Sequence, residues 1–431
     1  MPHDYIETYY SRCQTGDEHY PVLQGNRDTD VCIVGGGLAG LTAALELCRR
    51  GRQVTILEGN RIAWRASGRN GGFVSPGYAC SQTKIARKVG TDQAKTLYRL
   101  SIEGVDIVAG NIRDLAIDGA MRSDGMIGAI RYDGAPGLLT YRDQMERDFG
   151  QQLRVMQRDE LRSILCSDKY HQALYAPDAF HFHPLNYAHA LARNIRRLGG
   201  VIHESSAVRS IETVGGRRRL KTAQGEIDAQ DIVLASGGYT DRLCPALSRS
   251  FLPIATYVLL TEANRSLLET AIRTSAAIGD DRRAGDYYRI VDGDKLLWGG
   301  RITTRTADPA DLAGLLRREM VSTYPQLADL KVDIAWSGLM SYATHLMPQI
   351  GQLAPGLWYC TAFGGHGMNT TAIGGRLIAE AINGDSDRYR LFAPFGLSWN
   401  GGAFGRAAVQ LTYWSYQLQD AWRERQSLKA S

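Results

Sequence analysis

The sequence of 431 residues predicts an α/β fold, α+β overall, in which a nucleotide-binding domain is interleaved with a second domain. The first observation is a strand, glycine turn, helix and second strand between Asp30 and Glu58. The second is a pair of later apolar strands, near 231–238 and 356–368, that each run into glycines. The third is strand-rich sequence between these segments, which predicts an antiparallel sheet. Because the nucleotide-type segments lie at the start, middle and end, the domains are not consecutive.

The first glycine turn has the spacing Gly35-x-Gly37-x-x-Gly40, directly after an apolar strand and at the start of an amphipathic helix. This is the context that the Rossmann-like fingerprint requires, because the glycines admit a pyrophosphate to the helix N-terminus. The second strand ends at Glu58, which is placed to bind ribose hydroxyls and would repel a 2′-phosphate. The residues predicted to bind this part of a dinucleotide are Gly35, Gly37, Leu38, Ala39, Gly40 and Glu58. The cofactor is therefore FAD or NAD rather than NADP.

The chain is longer than the roughly 250–300 residues that one core usually serves, so we expect two domains. Residues 1–85, 180–250 and 335–395 are expected to form the cofactor-binding domain. Residues 86–179 and 251–334 are expected to form a substrate domain. Residues 396–431 are expected to form a C-terminal extension whose function the sequence does not indicate.

Composition excludes several other classes of protein. The formal charge is only +5 and basic residues are dispersed, which argues against nucleic-acid binding. No long apolar run predicts a membrane span, and the polar start does not resemble a signal peptide. The seven cysteines form no CxxC pair and no metal-ligand spacing, so we expect a reducing, cytoplasmic environment and no metal.

The run from Arg61 to Gly72 reads RIAWRASGRNGG and begins just after Glu58. It resembles the segment after the fingerprint in the FAD-dependent D-amino-acid-oxidase superfamily, closest to its bacterial glycine/sarcosine-oxidase and gamma-glutamylputrescine-oxidoreductase branch. Further similar stretches follow in the same order: His183-Pro184, Tyr287-Tyr288-Arg289, Trp298 to Arg301, Trp336 to Gly338, and Phe363 to Gly367. The resemblance covers the chain to about residue 395. It implies FAD, oxidation of an amine, and an antiparallel sheet that roofs the flavin.

The resemblance extends the set of cofactor residues. Added to the first group are Ser67, Gly68, Arg69, Asn70, Gly71, Gly72, Val208, Ser236, Gly237, Gly364, Gly365, His366, Gly367, Met368 and Asn369. A helix that starts near Thr370, capped by Asn369 or Thr370, would point its N-terminus at the flavin and stabilise negative charge there.

Catalytic residues are expected by position, because flavin-dependent amine oxidation needs orientation more than acid–base groups. Tyr288 or Arg289 could line the substrate face, although alternation along a strand lets only one point inward. Arg301 is an alternative anchor for a carboxylate. His345 could contact the flavin, and His366 could hold the glycine loop against the ring.

Two positions depart from the pattern that the resemblance implies. Some sarcosine-oxidase relatives attach the flavin through a cysteine before the glycine loop, and Ser337 to Leu346 contains none. We therefore expect non-covalent FAD. Those relatives also carry a lysine just past the GHG motif, where this chain has Asn369. Another cation then activates oxygen, or the acceptor is not oxygen, or the substrate lacks a carboxylate near that point.

The leading hypothesis is an FAD-dependent amine or amino-acid oxidase or dehydrogenase. It would remove a hydride from a C–N bond to flavin N5, leaving an imine that water hydrolyses, with oxygen or another acceptor reoxidising the flavin. One alternative is another flavoenzyme, a monooxygenase or reductase, although no second GxGxxG is present for a nicotinamide domain. The other is a non-catalytic flavin-binding or RNA-modification component. The partner is expected to be a small amine or amino acid, and the sequence predicts neither its identity nor the oligomeric state.

Overall fold

The structure is a computed structural model that describes residues 4–240, 243–282 and 285–430, with side chains described up to 426. Residues 1–3, 241, 242, 283, 284 and 431 of the expected domains lie outside the described residues. The helices are α1 Tyr9–Arg12, α2 Leu38–Arg49, α3 Gln82–Val89, α4 Thr91–Asp114, α5 Ala135–Phe149, α6 Arg158–Ile164, α7 Pro184–Arg197, α8 Pro245–Ser248, α9 Arg265–Glu269, α10 Leu312–Thr323, α11 Gly367–Asn383 and α12 Gly402–Ala430. Short 3-10 helices cover Ala66–Gly68, Asp118–Ala120, Gly237–Tyr239, Pro325–Leu327 and Arg388–Phe395.

The strands are β1 Gly25–Val34, β2 Val54–Leu57, β3 Phe73–Val74, β4 Ser123–Ile130, β5 Arg154–Met156, β6 Gln172–His181, β7 Val201–His203, β8 Ser210–Val214, β9 Arg217–Lys221, β10 Gly225–Leu234, β11 Phe251–Thr261, β12 Ala277–Asp280, β13 Tyr287–Val291, β14 Lys295–Thr303, β15 Val332–Ala343, β16 Gln349–Ala354 and β17 Leu357–Thr361. They form two sheets, and the alternation of sheet membership along the chain is the interleaving that the sequence predicts.

The first sheet has the strand order β16-β17-β10-β1-β2-β7, and the β8–β9 hairpin pairs with β10. Strands β17, β10, β1, β2 and β7 run parallel. The end of β1, Val31 to Val34, is buried throughout, as expected for a parallel strand covered on both faces. Helix α2 connects β1 to β2, so this is the mononucleotide-binding unit that the sequence predicts.

The second sheet has the order β15-β11-β14-β13-β12-β4-β6-β3, and β5 pairs with β6. All of its described pairs are antiparallel except β12 with β4. Strand β15 pairs with β11 along its whole length. The expected boundary at residue 335 therefore falls inside a strand of this second sheet.

Close helix contact sets the shape of the first domain. A Cβ at Gly375 of α11 would lie 2.7 Å from the backbone nitrogen of Ala43 in α2, so only glycine allows this approach. Nearly every residue of α2 is buried, because α2 is packed between the first sheet, α7 and α11. The packing holds the N-termini of α2 and α11 in fixed positions relative to each other.

Most elements agree with the sequence patterns. Residues 84–118, where polar and apolar side chains are interleaved as in a helix, form most of α3 and all of α4, whereas the similar stretch 140–165 is divided into two helices by β5. The sequence patterns do not indicate strands β3, β5, β6, β12 and β16. The C-terminal extension contains α12, one long helix. Within the described residues, no helix is long and apolar enough to cross a membrane.

Candidate active site

A cavity of about 1390 Å³ lies between the two sheets. It runs from the glycine turn after β1, past the turn after β10, to the loop between β17 and α11, and strands β11, β13, β14 and β15 of the second sheet border it. Small-molecule sites usually measure about 300–1,000 Å³. The cavity is therefore large enough for an extended cofactor together with a second ligand.

The nucleotide end of the cavity is built by the first glycine turn. Gly35 has a φ of +111°, and a Cβ there would lie 2.7 Å from the carbonyl oxygen of Ala235. Gly37 is the N-cap of α2, so the helix N-terminus opens onto the cavity. Gly40 does not line the cavity, but a Cβ there would lie 2.1 Å from the Gly35 carbonyl oxygen. Gly40 thus allows α2 to approach the turn, which places the helix N-terminus for an anion.

Glu58 lines the same end of the cavity. Its carboxylate accepts hydrogen bonds from the backbone N–H groups of Gly36 at 2.7 Å and Asn60 at 2.8 Å. Burial raises the pKa of Glu58, while these backbone hydrogen bonds oppose the shift. The carboxylate therefore braces the glycine turn, and its contact with a ribose stays a prediction.

The segment after β2 folds into a 3-10 turn beside the N-terminus of α2. Ser67 accepts a hydrogen bond from the Leu38 N–H at 3.0 Å. The Asn70 side chain donates to Ala66 and accepts from Gly72 N–H at 2.7 Å, which fixes the loop that continues along the cavity. Gly68 does not line the cavity. A Cβ there would lie 2.4 Å from a backbone oxygen, so this glycine keeps the turn tight.

Two arginines face the cavity from this segment. The guanidinium of Arg65 lies between two aromatic rings, 3.9 Å from the centroid of Trp64 and 4.3 Å from that of Tyr239. Arg69 donates to the Trp64 carbonyl oxygen, and burial followed by the charge of Arg65 lowers its pKa to about 10. Two neighbouring guanidinium groups held by neutral partners suit an anionic ligand such as a diphosphate.

The flavin end of the cavity is predicted at the loop Gly364 to Met368. Gly364 has a φ of +63° and its N–H donates to the Ser341 carbonyl, which ties the loop to β15. Nε2 of His366 lies 3.0 Å from the Ser75 carbonyl oxygen, so this nitrogen donates, and burial lowers the pKa of the ring. His366 thus holds the loop in place from the cavity wall.

The expected cap of α11 is wrong. The helix begins at Gly367 with His366 as N-cap, and no side chain caps it. Asn369 instead donates from its side chain to the carbonyl oxygens of Gly77 and Ser101, and Thr370 donates back to His366. The first turn, including Met368 and Asn369, lines the cavity. Uncapped N–H groups at a helix start favour a negative charge.

The remaining cofactor residues predicted from the sequence also meet here. Val208, Ser236 and Gly237 line the cavity beside the turn after β10, and Gly71 and Gly72 line it near the second sheet. Residues separated by more than 300 positions in the chain therefore surround one cavity.

The second sheet contributes residues that the sequence patterns did not single out. Tyr287, Thr256 and Tyr342 line the cavity from β13, β11 and β15. The Tyr287 ring packs against Gly71 and Gly299, where a Cβ would lie within 2.7 Å of ring atoms. Its hydroxyl hydrogen-bonds Thr256, and burial raises its pKa to about 12. The glycines that make room for this ring are the signal that could have identified it.

Four expected catalytic residues lie elsewhere. Tyr288 points away from the cavity, stacks on Trp298 at 4.2 Å and shares hydrogen bonds with Tyr170 and Tyr324. Its neighbour Tyr287 faces the cavity, so of the two residues proposed for the substrate face, Tyr288 is the one that alternation along β13 turns away.

The other three also lie outside the residues that line the cavity. Arg301 forms an ion pair with Glu319 of α10. His345 is held in the turn after β15, where it accepts from the Met347 N–H at 3.1 Å.

Arg289 is buried behind the loop rather than in the cavity. It contacts His181 and Tyr10, and its Nη2 also donates to the Phe182 carbonyl oxygen at 3.1 Å. A Cβ at Gly72 would lie 3.1 Å from Nη2, so the charge is one backbone layer from the cavity. Burial and this arginine lower the pKa of His181 to about 3, so the ring is neutral.

The donor set fits FAD. One helix N-terminus and Glu58 stand at the nucleotide end, two guanidinium groups stand beside the glycine turn, and a second helix N-terminus stands at the other end. Gly37 supports the fit, because a Cβ there would lie 2.9 Å from Ser67 Oγ and fill the approach to the helix. The fold and the site thus define a flavin-dependent oxidoreductase.

Comparisons with known proteins identify the family. Residues 30–381 match the family described as DAO, FAD dependent oxidoreductase. Gamma-glutamylputrescine oxidoreductase of Escherichia coli is 33% identical over 392 residues, covering 90% of this chain and 92% of the relative. The probable oxidoreductase OrdL of Haemophilus influenzae is 30% identical over 395 residues, covering 90% and 91%. This chain belongs to the DAO family of FAD-dependent oxidoreductases, which act on C–N bonds of amines or amino acids.

Solved structures agree on the fold. Glycine oxidase from Geobacillus kaustophilus has a TM-score of 0.73 at 21% identity, covering 86% of this chain and 99% of the other. L-Amino acid deaminase from Proteus myxofaciens has a TM-score of 0.72 at 19% identity, covering 88% and 95%. The mixed sheets and the recognised family are those that the sequence predicted.

Proposed function

We propose that this protein oxidises the C–N bond of a primary or secondary amine to an imine, which water then hydrolyses. FAD, when bound, would accept the hydride equivalent at N5 and pass the electrons to oxygen or another acceptor. The observation that carries the proposal is that one continuous cavity joins the predicted nucleotide-binding turn to the hydroxyl-bearing surface of the second sheet.

The chain's own residues would orient the two ligands. Arg65, Arg69 and the N-terminus of α2 would hold the diphosphate, and the N-terminus of α11 would face the flavin pyrimidine edge. We also propose that 1–85, 180–250 and 335–395 serve the cofactor, while 86–179 and 251–334 serve the substrate. Because β15 pairs with β11 as far as Ala343, the last boundary moves from residue 335 to just after residue 343.

The substrate would lie under the second sheet, against Tyr287 and Tyr342. Because burial raises the pKa of Tyr287 to about 12, its hydroxyl stays protonated at neutral pH. A hydroxyl oxygen can accept an N–H of a neutral amine, whose nitrogen lone pair must stay free for imine formation. Thr256 fixes the direction of this hydroxyl. These groups would position the carbon–hydrogen bond and exclude water, without supplying a base.

The direct test is anaerobic flavin bleaching of the holoprotein with a panel of amines, amino acids and N-methyl amino acids. An aliphatic amine comes first, because the Escherichia coli relative is named for gamma-glutamylputrescine. Bleaching by any member, with the corresponding carbonyl product, supports the proposal whatever the acceptor is. Release of hydrogen peroxide in air would then distinguish an oxidase from a dehydrogenase. A flavin that no amine in the panel reduces, but NADH does, would overturn it.

Two neighbouring tyrosines provide a matched pair of variants. Tyr287→Phe removes the cavity hydroxyl, so we expect kcat/KM to fall about tenfold, the value of one hydrogen bond of roughly 1.4 kcal/mol. Tyr288→Phe removes a hydroxyl that only meets Tyr170 and Tyr324, so it should lower the melting temperature and leave kcat/KM near wild type. Equal kinetic effects of the two changes would contradict the assignment of Tyr287.

A further inference from the structure

Helix α12 has two apolar faces, and one of them packs on the protein. Val409, Tyr413 and Tyr416 contact a small core that includes Leu252 and Ile254 of β11. The same core contains Tyr342, which also lines the cavity. The inner face of α12 therefore supports the wall of the active site.

The opposite face carries large apolar side chains in the open. Its members, called here the outer stripe, are Phe404, Leu411, Trp414, Leu418 and Trp422. Their exposed fractions lie between 49% and 86%, which is unusual for five neighbouring side chains of this size. At 100° per residue they occupy an arc of about 80° over a length of about 27 Å. The stripe is continuous, and no described side chain covers it.

The spacing of the outer stripe favours a helix as its partner. Phe404, Leu411 and Leu418 recur every seven residues, and Ala407, Trp414 and Ala421 form the second row of a heptad seam. Such a repeat is the pattern by which two helices pack along their length. A partner helix would have to offer large side chains opposite the alanines.

A second copy of the same helix, running antiparallel, provides these large side chains. Around a midpoint between residues 414 and 415, equal distances pair Leu411 with Leu418 and place Ala407 opposite Trp422. The same midpoint places Phe404 opposite Arg425, an exposed arginine one turn beyond the stripe. When the helix packs against an antiparallel copy of itself, large side chains therefore face small ones, and the ring of Phe404 faces the guanidinium of Arg425.

We propose that the outer stripe of α12 is a dimer interface with a second copy of this chain, the two helices running antiparallel about a two-fold axis at Trp414 and Ser415. Aromatic side chains have about 150–250 Å² to bury, and the five members of the stripe, three aromatic and two leucines, are only 49% to 86% exposed, so the stripe would contribute roughly 600 Å² per copy. The total of about 1,200 Å² is at the lower limit for a specific interface. The dimer therefore dissociates on dilution, and each copy braces the other's active-site wall.

The first test is sedimentation velocity of the holoprotein over a range of protein concentrations. We expect a monomer–dimer equilibrium for the wild type and a monomer for Leu411→Glu/Leu418→Glu at every concentration. Thr412→Glu puts a charge on an exposed side of the same helix, away from the stripe, and should dimerise like wild type. A wild-type protein that stays monomeric at its highest soluble concentration overturns the proposal.

The second test fixes the direction of the two helices. Ser415→Cys lies at the axis and should form an intermolecular disulfide under mild oxidation. Ala407→Cys lies about 22 Å from its symmetry mate in an antiparallel pair and should not. Crosslinking of Ala407→Cys as efficiently as Ser415→Cys would indicate parallel helices and overturn the stated arrangement. Wild type, with its seven cysteines, gives the background.

The third test examines a lipid surface as the alternative occupant. Wild type and Leu411→Glu/Leu418→Glu are sedimented with vesicles of mixed zwitterionic and anionic phospholipid. Monomeric wild type that binds these vesicles, with binding lost in the double variant, assigns the stripe to membrane and overturns the dimer. No binding, together with the concentration-dependent dimer, supports it.

Discussion

Two glycines of the long helix α4 provide a sharp test of how the flavin end of the cavity is built. Gly104 faces α11, and a Cβ there would lie 2.3 Å from the backbone oxygen of Asn369. Gly110, six residues later, would place a Cβ 3.8 Å from its nearest neighbour, which is ordinary contact. The two positions thus share a helix and differ in whether backbone stands in the way.

Substitution by alanine separates these effects. In an open helical position the change from glycine stabilises by about 0.5–1 kcal/mol, so we expect Gly110→Ala to raise the free energy of unfolding by that amount. Gly104→Ala has the same gain in propensity, but overpacking costs about 1–3 kcal/mol when backbone must move. We therefore expect it to lower the free energy of unfolding by roughly 1–2 kcal/mol.

The backbone shift that Gly104→Ala forces at Asn369 should also affect cofactor binding. The backbone of Asn369 belongs to the first turn of α11, which lines the cavity. Gly104→Ala should therefore shift the flavin absorbance maxima and weaken FAD binding to the apoprotein, whereas Gly110→Ala should change neither. Urea unfolding gives the stabilities, and titration of apoprotein with FAD gives the affinities. Equal stabilisation by both alanines, with unchanged FAD affinity, would refute the close approach of α4 to α11.

Two other predictions concern the cofactor linkage and the buried histidines. Acid precipitation of the holoprotein should release all yellow colour into the supernatant, and colour retained in the pellet would show a covalent flavin. Burial and Arg289 lower the pKa of His183 to about 3, and its Nδ1 accepts the Asn186 N–H, so the unfolded chain binds an extra proton below about pH 6.5. The contribution of His183 to stability is therefore present above pH 6.5 and is lost as pH falls toward 3. His183→Asn keeps a cap acceptor and should make the fall in unfolding free energy near pH 5 shallower by about 1.4 kcal/mol per pH unit. His19→Asn, at an exposed site, is the control, and an unchanged slope in His183→Asn would contradict a neutral buried ring.

The nucleotide end of the site could be predicted from the sequence because its determinants are local. Gly35 and Glu58 belong to one strand–helix–strand unit, and the hydrogen bond from Gly36 to Glu58 spans only 22 positions. In such a unit the glycine spacing and the apolar runs fix where the helix begins. The family resemblance then supplied the distant loop before α11, which no local pattern relates to the first turn.

The substrate side could not be predicted in the same way. Tyr288 and Arg289 are both buried, one in the core of the second sheet and one behind Gly72, so hydrophobic alternation carries no signal for the phase of β13. The phase depends on Gly299 and Gly71, which leave space for the Tyr287 ring from two other segments. A register shift in the pairing of β11 with β14 at Thr256 adds to the difficulty. These features depend on tertiary packing, so the sequence of a single strand does not reveal them.

The position of the missing lysine shows how this chain differs from the pattern that its resemblance implies. The Asn369 side chain donates to the Gly77 and Ser101 carbonyl oxygens, so it fastens α11 to α4 and the preceding loop. Positive potential at the cavity must then come from elsewhere. The uncapped N-terminus of α11 provides it on one side. Arg289 provides it behind Gly72, since its guanidinium hydrogen-bonds only to neutral groups within the described part of the chain. Both sources are fixed in the protein interior, where charge acts more strongly than in water. In the proposed function they would favour negative charge on a reduced cofactor and leave the hydroxyl-lined side for a neutral amine, which is the combination that amine oxidation requires.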